Sequence, residues 1–187
     1  MAAPTQQTYI PSKVVQTEYP LIDNDPHFKR VVGYARTSDY VHGLVAAAAG
    51  PGLLYAMERI SPSHVGRGGF ASAMRLGGVI GAFGGFLYFY QRSCLRFYGM
   101  SENAREIEMD MKEMVGKVKA GEPLYGESRL TPHMQGVAAR QSRYSVLFTS
   151  VLPWFNFVNH NQHGVDTAKY YRAAEQELEA ERLGKSS

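Results

Sequence analysis

The chain has 187 residues, a formal net charge of +3 and one cysteine, Cys94. A single cysteine excludes an internal disulfide, a thiolate zinc site and iron–sulfur ligation. A charge this small, with its basic residues scattered rather than striped, leaves no electrostatic footprint for nucleic acid.

Residues 1–40 are expected to form an extended N-terminal arm. Pro4, Pro11, Pro20 and Pro26 interrupt any helix, and YPLIDNDPHF has turn chemistry without periodicity. Tyr9, Ile10, Tyr19, Leu21, Ile22 and Phe28 are too many large apolar groups for a freely solvated segment, so the arm is expected to lie across a partner's surface. Residues 1–20 hold one base, Lys13, and no apolar run. Neither a secretory signal nor an arginine-rich presequence fits, so any targeting signal is expected inside the chain.

Residues 41–90 organise the rest. Val41–Met57 carries no Asp, Glu, Lys or Arg, and Phe70–Tyr90 carries one charge, Arg75. As helices they would reach about 26 Å and about 32 Å, against a hydrocarbon core of roughly 30 Å. Loop 58–69 between them is short and rich in Ser, Pro, Gly and charge. Five glycines crowd residues 77–85, each costing about 1 kcal/mol relative to Ala in an ordinary helix. In a membrane that cost softens and small residues become useful. The prediction is an all-α membrane protein: a two-pass transmembrane helical hairpin with spans at 41–57 and 70–90. Ala73, Gly77, Gly81 and Gly85 recur at every fourth position and define a helix-packing face. Either the first span, through Gly43, Ala47 and their neighbours, or a foreign helix would fill it. Pro51, between Gly50 and Gly52, is expected to kink the first span.

Basic residues argue an orientation. Lys29, Arg30 and Arg36 precede the first span, and Arg92, Arg96, Arg105 and Lys112 follow the second. The loop has Arg59 and Arg67, with Arg75 able to snorkel towards it. The bias puts both termini on the positive-inside face, the matrix in a mitochondrion.

Residues 91–187 are expected to carry amphipathic and soluble helices. The first covers about 101–119, with Ser101 as N-cap and Ile107, Met111, Met114, Val115 and Val118 on its apolar face. Glu106, Glu108, Asp110 and Glu113 would form its solvated face. Residues 121–143 are punctuated by Gly and Pro and are expected to be loop, with at most a short turn near Gln135–Gln141. Residues 144–158 hold no charge but are too short and too broken by Pro153 for a third span, so an interfacial apolar segment with the sole Trp154 is expected. A last helix at 166–183 presents Tyr170, Ala174 and Leu178 as a thin apolar stripe.

Catalytic constellations are weak. His160, His163 and Asp166 have metal-compatible spacing, but Asn159, Asn161 and Gly164 favour a loop, where the histidines act as ordinary hydrogen-bonding groups. His42, at the mouth of the first span, has no intramembrane carboxylate to relay protons to. Gly66, Gly68 and Gly69 precede no GK[ST] and follow no strand. No catalytic residue, cofactor, metal or small-molecule substrate is assigned.

The blocks YPLIDNDPHFKRVVGYARTSDY (19–40) and PWFNFVNHNQHGVDTAKYYRAAE (153–175) carry a resemblance. Together with the two-span spacing between them, they resemble the NUXM-type, so-called 21-kDa, accessory subunits of mitochondrial respiratory complex I of fungi and plants. The resemblance covers residues 18–180. It implies a non-catalytic subunit of the inner-membrane NADH:ubiquinone oxidoreductase, whose partners are other complex I subunits and membrane lipids. A Gly-rich hairpin component of an inner-membrane translocase or channel is the alternative that the sequence leaves open.

Overall fold

Two long antiparallel helices, α2 (Thr37–Ile60) and α3 (Arg67–Phe97), form the hairpin in the computed structural model, which describes residues 16–149 and 151–185. The part of the predicted arm before Gln16, with Tyr9 and Ile10, lies outside those residues. Only 6% of the most apolar stretch of either helix is buried, whereas the core helix of a soluble protein would be mostly covered. Leu44, Val45, Leu53, Leu76, Val79 and Ile80 all point outwards. Every described regular element is helical. Both helices outrun the predicted spans. At 31 residues, α3 is about 46 Å long, so a span of roughly 30 Å leaves its C-terminal turns inside a soluble head.

The head gathers everything else at one end of the hairpin. It comprises α1 (Phe28–Gly33), α4 (Ala104–Ala120), α5 (Pro132–Ser142), a 3₁₀ turn at Ser145–Phe148, and α6 (Ala168–Lys185). One core packs Ile22, Val31 and Tyr34 against Tyr90, Cys94, Phe97 and Tyr98 of the α3 extension. A second joins Met114 of α4, Leu124 and Tyr170 of α6.

Several expectations need correction. Residues 22–26 are not spread over a partner; they are buried against this chain, with Ile22 N–H donating to Phe97 O at 3.0 Å. Gly99, at φ +70°, lets that segment cross, because a β-carbon there would collide with Tyr19 O. The arm also contains a helix, α1, whose Lys29 N–H donates to His27 Nδ1 at 3.1 Å. The first span begins at Thr37 because the Asp39 carboxylate accepts the Arg36 N–H at 2.8 Å. The N-cap of α4 is Asn103, not Ser101; its amide donates to Pro20 O and Arg96 O, both at 2.8 Å. Residues 132–142 are helix rather than loop, started by Thr131, which accepts from Met134 N–H, and by Pro132 in the first turn. The last helix begins at Ala168, where Asp166 accepts the backbone N–H, and Leu178 of its stripe is exposed while Tyr170 and Ala174 are buried.

Candidate functional site

Two built regions join these elements, the helix crossing in the hairpin and an ion network beneath it. At the crossing, the distances follow from the absence of side chains. A β-carbon on Gly77 would stand 2.8 Å from Leu54 Cδ1, and one on Gly85 would stand 2.6 Å from Ala47 Cβ. At Gly81 it would collide with Ala47 O and lie 3.1 Å from Pro51 Cδ. Gly43 closes the contact from the other side, where a β-carbon would stand 2.9 Å from Phe89 Cβ. Gly78 and Gly84 face open space. Ala73 is exposed, and α2 continues as helix through Pro51.

Where the hairpin enters the head, its charges turn inwards. Arg96 donates two bonds to the buried Asp39 carboxylate, and Arg92 adds a contact at 3.4 Å. Arg96 Nε lies 3.3 Å from Glu106, near enough for attraction but not aligned as a hydrogen bond. Arg36 reaches Glu106 at 2.5 Å and Glu102 at 2.9 Å. Deeper in the head, Arg30 binds Asp23 at 3.1 Å, Asp110 at 2.5 Å and Glu113 at 3.2 Å. Tyr34 and Tyr170 donate to Glu113 and Asp110, each at 2.5 Å. Glu106 and Asp110 are therefore not a solvated face: they are 0% and 2% exposed. Burial works against the charge of Glu113, yet Arg30 and Lys117 hold its carboxyl below the usual range.

The C-terminal block meets the N-terminal block through two histidines. His160 Nε2 lies 2.7 Å from Asp25, and His163 Nδ1 lies 2.7 Å from Asp23. The rings stack at 4.4 Å, with Tyr125 stacked on His163 at 3.6 Å. Hydrogen-bond roles separate the two. His160 Nδ1 accepts from the Gln162 N–H, so its ring proton sits on Nε2 and points at Asp25. His163 faces acceptors on both sides, Asp23 and the His160 carbonyl, so both nitrogens must donate. Burial favours the neutral ring, but the facing Asp23 raises His163 above the ordinary histidine value. Burial likewise opposes the Asp23 anion, which His163 and Arg30 nevertheless hold below the usual carboxylate range. These histidines are spent on carboxylates, and no group of three or more metal-compatible side chains occurs among the described residues. Sequence reasoning misses this lock, taking Asp23 and Asp25 as turn residues; the D-x-D of residues 23–25 and the H-x-x-H of residues 160–163 are the signal that could have found it.

An aromatic collar marks the level where hairpin meets head. Phe28 stacks on Tyr90 at 5.6 Å, Phe155 meets Tyr90 edge-on at 4.8 Å, and Tyr40 contacts Phe89 at 4.6 Å. Beside the collar, Phe148, Val151, Leu152, Trp154 and Phe157 are exposed.

The two blocks that carry the resemblance thus meet in space, and comparison with known proteins agrees with them. A family model described as NADH-ubiquinone oxidoreductase complex I, 21 kDa subunit, matches residues 16–102. A second, for the C-terminal part of that subunit, matches residues 111–187. The NADH-ubiquinone oxidoreductase 20.9 kDa subunit of Neurospora crassa is 73% identical over 187 residues, covering 100% of this chain and 99% of that protein. With both halves matched in order and a relative this similar along its whole length, the chain belongs to the family of the complex I 21 kDa subunit of NADH-ubiquinone oxidoreductase.

Proposed function

We propose that the chain is a non-catalytic accessory subunit of mitochondrial complex I. It sits in the inner membrane with both termini in the matrix and strengthens the membrane arm by helix packing. Family membership supports the assignment to complex I, and it lends nothing to a translocase or channel. One observation carries the non-catalytic reading. The buried carboxylates Asp23, Asp25, Asp39, Glu106 and Asp110 each face a cation or imidazole of this chain, so none is poised to act on a substrate.

Gly77, Gly81 and Gly85 serve to close the hairpin on itself, with Ala73 beyond the contact. Neighbouring subunits and lipid are left the apolar outer faces of α2 and α3. The exposed segment around Trp154 lies along the membrane surface, continuous with the collar. The matrix orientation rests on the basic residues at the head end. Many of them are paired with carboxylates, but the positive-inside rule counts Lys and Arg and gives acidic residues little weight.

Native gel electrophoresis of solubilised mitochondria tests the assignment. A tagged chain should co-migrate with NADH dehydrogenase activity. Co-migration with an import channel instead would overturn it.

A further inference from the structure

An open cavity of about 1000 Å³ lies between α1, the end of α4, the 125–130 loop and the C-terminal block. Its lining divides by chemistry. Lys29, Arg30, Lys117 and Arg129 face a single carboxylate, Glu127, while Phe28, Leu130, Phe157 and Val158 supply apolar wall. Arg30 and Lys117 are held by Asp23, Asp110 and Glu113. Lys29 and Arg129 make no ion pair with any described residue, and both are exposed. Tyr125, also in the lining, carries a buried hydroxyl with no hydrogen-bond partner among the described residues. That hydroxyl is enclosed, so the groups left to meet a ligand are the exposed Lys29 and Arg129.

The apolar wall runs towards the bilayer. Phe157 is 5.0 Å from Phe28, and Phe28 is 6.4 Å from Phe86, on the stretch of α3 that leaves the span. Cations above and aromatic rings below are the two halves of a phospholipid's chemistry, and basic pockets beside transmembrane helices take up anionic headgroups. We propose that this cavity binds the phosphoryl headgroup of an anionic phospholipid, whose acyl chains pass Phe157 and Phe86 to run along α3. The proposal rests on the membrane placement above. The cavity is far larger than a free phosphate needs, which favours the lipid as the source of the phosphoryl group.

The test uses the full-length chain in non-ionic detergent, titrated with phosphatidylglycerol, phosphatidylcholine or inorganic phosphate and read by native mass spectrometry. The wild-type chain should retain phosphatidylglycerol in preference to phosphatidylcholine. Lys29→Gln with Arg129→Gln should weaken phosphatidylglycerol binding by at least about tenfold. Lys29→Arg with Arg129→Lys should keep it, as should Arg172→Gln on α6. Equal retention of the two lipids, or undiminished phosphatidylglycerol binding in the glutamine variant, would overturn the proposal. So would loss of binding in the charge-conserving variant, or displacement of the lipid by equimolar inorganic phosphate. Failure here leaves migration with complex I on the native gel unchanged, whereas failure of the complex I assignment shows on that gel whatever lipid is held.

Discussion

The carbonyl of Ala47 faces Gly81 across the hairpin, and a β-carbon on Gly81 would collide with it. That carbonyl has lost its helical donor because Pro51, four residues on, has no N–H. The proline frees an acceptor at the crossing, and the glycine lets the partner helix approach it. Gly81→Leu is therefore expected to be the worst single change in the spans, costing about 1–3 kcal/mol. Gly78→Leu and Gly84→Leu, which face open space, should be milder. The readout is the fraction of each variant retained in the complex on a native gel. Loss of a control variant with retention of Gly81→Leu would show the packing face to be misplaced.

Asp39 of α2 and Arg96 of α3 tie the two hairpin helices together at their head end. Arg96→Met removes the main partner of a fully buried carboxylate, and breaking one side of such a pair costs about 3–5 kcal/mol. Adding Asp39→Leu should recover part of that loss, since no buried charge is then stranded. Thermal unfolding of the two variants in detergent checks the order. A double variant less stable than Arg96→Met would contradict it.

Asp23 and His163 confer a pH window. The Asp23 carboxyl is held below its ordinary value of 3.8, so its contribution is present above 3.8 and fades as pH falls through the lower folded value. The His163 ring is held above 6.5, so its contribution is full below 6.5 and fades as pH rises through the higher folded value. The lock is strongest between pH 3.8 and 6.5. Hydrogen-exchange protection of residues 159–165, corrected for intrinsic rates, should decline from pH 6.5 towards alkaline pH in wild type. In His163→Ala it should be low throughout. Protection independent of pH in wild type would contradict this account.

The same histidines test the non-catalytic reading. His160→Ala and His163→Ala should lower the yield of assembled complex while leaving NADH:quinone turnover per assembled complex unchanged. A loss of turnover in fully assembled complex would count against it.

Topology gives the last prediction. Protease added to sealed mitoplasts should cut within Ile60–Gly69 and spare tags at both termini. Digestion of either tag would place the head on the other face.

The hairpin was legible because glycine spacing and the absence of charge are local signals. Thr131-Pro132 carries the residue types of a helix start, a signal passed over when 121–143 is read as Gly- and Pro-punctuated loop. The ion network was not legible from one stretch at a time. Glu106 and Asp110 have the helical spacing of a wet face, and only the arrival of Arg36, Arg96 and Arg30 from distant segments takes them out of water. Asp23 and Asp25 looked like turn residues for the same reason, since His163 and His160 come from the far end of the sequence.

That distance has a consequence for how the molecule is made. Asp25 and His160 are separated by 135 positions, with both spans between them. The head cannot close until the C-terminal block has been delivered, and then only if both helices have crossed. A chain threaded once instead of twice would strand Asp23 and His163 on opposite sides of the bilayer. It would leave Arg30 and the buried carboxylates open to water and to proteases. The lock therefore acts as a check on insertion, since a finished head can form only on a correctly threaded chain.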